Sequence, residues 1–285
     1  MIEFLQALLL GFIAAGVLWF GKLKNFFNWN PNKPWDSKVL LGFAIGAFGI
    51  YFFISYFVGP LALHYMQNQF PDASQVAFAS WLNFLYTSVS FFTLLLYWRC
   101  LPSHTRNGII RCPSEPMHIV EDFKMGIYAW LISFPLVIFL TNFFEWIVTY
   151  VLKATYIPDQ LAVYFVKMTF EQPLYFAMTI VTIVIITPLV EETLFRGFLQ
   201  SFIRRHLGAK QAILITSVCF ALFHYAPEQG LGNIPIVGTL FALALFLGFL
   251  YEKQGSLFAS ISLHALFNGI SILNLYFLGR IPFFF

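Results

Sequence analysis

Long apolar runs separated by short polar stretches dominate this chain. A helix that crosses a bilayer needs about 20 mainly apolar residues, and the pattern predicts eight such spans, at 4–20, 39–58, 76–98, 127–152, 174–203, 212–226, 234–251 and 257–278. The fifth is expected to be interrupted. A straight helix over 174–203 would be about 45 Å long, more than a hydrocarbon core of about 30 Å, and Pro188 lacks the backbone donor a helix interior needs. A break or kink is therefore predicted at Pro188, with Glu191 in the first turn of the segment beyond it. Only Glu3 precedes the first run and no small-residue cleavage site precedes Lys22, so that run reads as an uncleaved helix rather than a signal peptide.

Composition removes the alternatives to a membrane protein. Hydrophobic residues make up 59% of the chain and charged residues 10%, with 37 Phe among 285 residues and a mean hydropathy of +0.76; soluble domains carry about 25% charged residues. The formal net charge is +3 and the basic residues are scattered between apolar runs, which excludes disorder and nucleic-acid binding. Three cysteines build no disulfide framework. The fold class is all-α and polytopic. Residues 1–173 are expected to supply about four spans and a cytoplasmic loop at 99–124, and residues 174–285 about four more, in one integral unit.

Lys and Arg separate cleanly across these spans. Of the 16, 13 fall on one side (22, 24, 33, 38, 99, 106, 111, 124, 196, 204, 205, 210 and 253), leaving Lys153, Lys167 and Arg280 on the other. The positive side stays cytoplasmic, so an even number of spans puts both termini outside, and Phe283, Phe284 and Phe285 are expected at the outer interface.

An ionisable side chain in hydrocarbon costs several kcal/mol and needs a reason. Six lie within predicted spans: Glu145, Glu191, Glu192, Arg196, His224 and His264. Residues four apart share a helical face. Glu192 can therefore pair with Arg196, leaving Glu191 on another face, while His264 stands beside Asn268 and His224 beside Phe220. Depth brings the helices into register. Glu191 lies 13 residues before Arg204 and His224 lies 14 after Lys210, on two arms of one hairpin, and His264 follows Lys253 by 11 residues. Glu191, His224, His264 and Asn268 are thus predicted to face one intramembrane site.

The series Glu191-Glu192-Thr193-Leu194-Phe195-Arg196, Phe220-xxx-His224 and, after Gly255-Ser256-Leu257, His264-xxx-Asn268 resembles the motifs of the CPBP (Abi) family, which comprises type II CAAX prenyl endopeptidases and related bacterial and archaeal membrane proteases. The resemblance covers about residues 175–275. It implies an intramembrane endopeptidase with eight helices, in which Glu191 is the general base holding a water with His224, while His264 and Asn268 stabilise the oxyanion and Glu192 and Arg196 are structural support. Elementary chemistry agrees: a carboxylate drawn out of water takes up a proton more readily, and two donors aimed at a developing oxyanion are the usual device of acyl transfer. The cut is expected near the cytoplasmic half of the bilayer, in a membrane-embedded or lipidated peptide.

Other readings stay open at this level. Polar residues glue membrane helices together, and a scaffold or immunity-type protein would use the same residues to bind a partner. A transporter would need matching half-repeats, which the sequence lacks. No cofactor is expected, although Glu191, His224 and His264 could instead hold zinc with an open water position. Cys100, His104, Cys112 and His118 also carry zinc donors, in a spacing of no recognised pattern, and are read as ordinary reduced side chains. His-Glu-x-x-His and Gly-x-Ser-Gly sequences are absent, and Asp36, Asp72, Asp122 and Asp159 are all placed in loops, so no membrane aspartate pair exists. Glu145 is read as structural.

Overall fold

A computed structural model describes residues 2–33, 35, 38–112, 118–158 and 160–279. Asp36, Asp159, Arg280 and the three C-terminal Phe residues lie outside them. The described chain is helical throughout; its one bridge outside helices pairs Arg111 with Ser256. Ten helices follow in order: α1 (Ile2–Leu23), α2 (Leu41–Gln69), α3 (Gln75–Cys100), α4 (Ser103–Ile110), α5 (Ile119–Val151), α6 (Leu161–Thr169), α7 (Pro173–Leu207), α8 (Ala209–Phe223), α9 (Asn233–Gln254) and α10 (Leu257–Leu278). Seven are long and apolar enough to span a membrane, and α8 is a shorter apolar helix. The protein is an all-α polytopic membrane protein.

Large apolar side chains stay outward where lipid is the solvent, as with Phe12, Phe57, Leu96 and Phe277. Enclosure is uneven along the chain. Two-thirds of the most apolar window of α9 (67%) and over half of that of α10 (56%) are buried, against 17% for α1 and α2, so the last two helices form the interior. Helix α5 packs on α1, α9 and α10, and α8 packs on α9. Close approach of α5 to α10 depends on Gly126, where a Cβ would fall 2.0 Å from Ser262 Oγ; small residues are what let membrane helices come this near.

Of the break or kink that the sequence predicts at Pro188, the break does not occur. Helix α7 runs unbroken for 35 residues and accommodates the proline by widening to π geometry over Val181–Ile186, with a second π stretch at Thr193–Gln200. Glu191 therefore lies mid-helix, between two π stretches, and not in a first turn. Widened turns of this kind concentrate at functional positions.

Polar side chains at one end of the molecule tie loops to helix ends. Arg204 bonds Glu252 at 2.7 Å and the carbonyls of Lys33 and Trp35. Lys253 bonds the carbonyls of Phe26 and Asn28, and Arg111, Asp122 and Ser256 bond one another. The predicted loop at 99–124 is largely structured, since α4 and the first turn of α5 lie within it. Asp122 is a buried residue of that turn and not of a loop. The Cys/His series is not gathered: Cys112 is buried against Trp35, Tyr251 and Leu257, while Cys100 is exposed at the end of α3. Glu145 lines an outer cavity that Lys167 also lines.

Candidate active site

Three helices bring the intramembrane polar groups together. Glu191 comes from α7, His264 and Asn268 from α10, and His224 caps the C-terminal end of α8. One carboxylate oxygen of Glu191, Oε2, stands 4.0 Å from His224 Nε2 and 3.8 Å from His264 Nε2. That oxygen is buried and makes no hydrogen bond among the described residues. All four side chains line a cavity of about 360 Å³.

The ring orientations follow from the bonds at the other nitrogens. His224 Nδ1 lies 2.8 Å from the Phe220 carbonyl, an acceptor only, so Nδ1 carries the hydrogen and Nε2 of the neutral ring faces Glu191 bare. His264 Nδ1 lies 2.8 Å from Glu192 Oε1, which fixes its ring as an acid holds a catalytic imidazole.

Glu192 does more than the structural support expected from its spacing. It is fully buried, and its Oε1 accepts from Arg196 Nη1 at 2.9 Å as well as from His264. Arg196 in turn donates to the Ala244 carbonyl at 3.2 Å and lies over the Phe220 ring, 4.6 Å from its centre. Thus the predicted Glu192–Arg196 pair exists, and it also orients His264 from a position 72 residues away in the chain.

Asn268 is placed by an absent hydrogen. In the π stretch of α7 each N–H reaches back five residues, Thr187 bonding Thr182. The next donor in that series would be Pro188, which has none, and its acceptor would be Ile183. That carbonyl accepts Asn268 Nδ2 at 2.9 Å instead. One amide hydrogen of Asn268 is therefore engaged, and the second is left for the cavity.

Sequence reasoning missed Gln229. It is only 4% exposed, lines the cavity, and its Oε1 has no partner among the described residues. Its loop is stapled by Asn233, whose side chain bonds both N and O of Ala226 and the carbonyl of Gly230; Gly230 has φ +50°, a conformation favouring glycine. A glutamine between two spans carries no spacing signal, so only the fold could reveal it.

Two imidazole nitrogens and one carboxylate oxygen have the composition of a catalytic zinc site. Ligands bonded at about 2.0–2.2 Å sit roughly 3.4 Å apart in a tetrahedron, so the separations of 3.8 and 4.0 Å would have to contract by about half an ångström. Among the described residues no three His, Cys, Asp or Glu side chains are already drawn together as a metal cluster.

The fold and the site define a multi-pass membrane protein that gathers an acid, two imidazoles and a carboxamide around one cavity. Residues 173–270, from the start of α7 to the middle of α10, are similar to the family described as type II CAAX prenyl endopeptidase Rce1-like, a match over about a third of the chain. No curated protein and no solved structure matches the chain.

Proposed function

We propose that this protein is an intramembrane endopeptidase in which Glu191 and His224 activate a water and His264 and Asn268 stabilise the oxyanion. The carrying observation is the unbonded Glu191 oxygen 4.0 and 3.8 Å from two imidazole nitrogens. Atoms so spaced can share one water at about 2.8 Å from each. The water gives its proton to Glu191, with His224 Nε2 as the second acceptor, and its oxygen bonds the peptide carbon. Negative charge develops on the carbonyl oxygen, facing His264 Nε2 and the free amide hydrogen of Asn268. In this reading His264 holds a proton on both nitrogens, which balances the two carboxylates and one guanidinium of the cluster. Collapse of the intermediate breaks the C–N bond as Glu191 returns its proton to the departing amine. Buried donors that need not reorganise are worth far more here than in water.

The two Nε2 atoms that face Glu191, each a lone-pair donor when its ring is neutral, favour a second reading, in which Glu191, His224 and His264 would hold zinc and the metal would supply Lewis-acid chemistry. Turnover of a fluorogenic lipidated peptide by purified protein, with and without a chelator, separates the two. Glu191→Gln and His224→Ala are expected to abolish cleavage while inserting and folding normally. Wild-type turnover in either would overturn these residue roles, whereas no turnover by the wild type together with function retained in cells by the variants would leave the membrane-scaffold reading. The termini lie outside the cytoplasm in this proposal, following the basic residues.

A further inference from the structure

We infer that the site is reached from the membrane face opposite the basic end, so that the substrate is a membrane-anchored polypeptide whose scissile bond lies on the extracytoplasmic side. The substrate part rests on the hydrolytic reading above; the direction of access stands on geometry alone.

The lining residues run one way from Glu191. On α7 they are Ile183, Thr187 and Glu191, with none beyond, and on α10 they are His264 and Asn268, with none before. Since α7 runs toward the basic end and α10 away from it, Glu191 and His264 form the floor. The walls rise through Asn83, near the start of α3, to Leu161, Ala226 and Gln229 in the connections at the far end. Below the floor the polar side chains are tied to one another: Glu192 with Arg196, Gln200 with Glu252 and the Gly248 carbonyl, Ser201 with Tyr251, and Arg204 with Glu252.

Helix α8 supplies an independent reason. It starts at the basic end and has 15 residues, about 22 Å at 1.5 Å per residue, so it stops short of a core of about 30 Å. The loop after His224 therefore lies at membrane depth. Tyr225 and Ala226 are outside any helix and the short 3-10 helix Pro227–Gly232 is interrupted at Gly230; non-α backbone at this depth is tolerated only when buried in protein or lining a water-filled cavity, and this connection lines the cavity with Ala226 and Gln229. The basic end carries 12 of the 16 Lys and Arg, Arg196 being buried within α7, and is cytoplasmic by the positive-inside rule. The inference departs from the expected cut in the cytoplasmic half: similar distances to the basic turns set the depth of the groups, but the cavity that holds Glu191 extends away from that side, and the separate cavity on the basic side is lined by apolar residues such as Leu94, Ile109, Val190 and Leu257 and by none of the four polar groups.

Native Cys100, exposed at the basic end of α3, is a built-in reporter. Intact cells expressing Leu161→Cys or Gln229→Cys would be treated with a membrane-impermeant maleimide, and the labelled residue located by peptide mapping. Both introduced cysteines are expected to label in intact cells and Cys100 only after permeabilisation; Ala226→Cys replaces Gln229→Cys should the latter not fold. Labelling of the cavity cysteine only after permeabilisation, or not at all while Leu161→Cys reacts, overturns the inference. Labelling needs no turnover, so it survives failure of the hydrolytic reading. In proteoliposomes, cleavage of the fluorogenic lipidated peptide added outside should scale with the fraction whose Cys100 faces the lumen. Scaling with the opposite fraction overturns the substrate assignment.

Discussion

Glu192 touches two functions at once, and substitution can separate them. Its Oε1 receives Arg196 at 2.9 Å and His264 at 2.8 Å in a fully buried setting. Glu192→Gln leaves the Arg196 guanidinium without its counter-charge, and breaking a buried pair by removing one partner costs about 3–5 kcal/mol. Replacing both members by apolar residues is often neutral, so Glu192→Leu with Arg196→Leu should recover most of that stability. It cannot restore the acceptor that orients His264. Loss of one positioned oxyanion donor costs about 10²–10³ in rate, or roughly 3–4 kcal/mol of barrier at 1.36 kcal/mol per tenfold. Thermal unfolding in detergent and turnover of the lipidated peptide read the two effects separately. An unchanged melting temperature in Glu192→Gln, or full activity in the double variant, would refute the reasoning.

Asn268→Leu should orphan the Ile183 carbonyl and cost about 1–3 kcal/mol. Adding Pro188→Ala supplies the missing N–H, so the pair should be more stable than Asn268→Leu alone; equal or lower stability sinks the link between proline and asparagine. Gln229→Leu removes a buried carboxamide with an unpaired oxygen, so it should leave unfolding nearly unchanged while lowering kcat/KM about tenfold, the worth of one hydrogen bond of roughly 1.4 kcal/mol. Gly126→Ala drives a methyl into Ser262, and overpacking of about 1–3 kcal/mol should appear as a lower melting temperature. Because Ser262 lies two residues from His264, peptide turnover should fall with it.

Much of the site was legible before any coordinates. Glu191, His224, His264 and Asn268 stood out because hydrocarbon makes each such residue costly, and the helical repeat announced the Glu192–Arg196 pair at four residues' spacing. The spans were legible for the same reason, although α8 begins and ends three residues before its run and α7 is longer than its run. Pro188 misled because a missing donor identifies a local defect but not how it is absorbed. Whether α7 broke or widened depended on Asn268, 80 residues later, taking the freed carbonyl.

The apolar periodicity and the inventory of buried polar groups thus determined the all-α membrane fold and which polar side chains lie within the membrane, since both follow from interactions within a turn or two of helix and from the solvent. Tertiary structure decided that Glu192 grips His264, that Gln229 enters the cavity and that the mouth lies away from the basic end. Those depend on how α7, α8 and α10 rotate and stop against one another, and no local spacing carries that information.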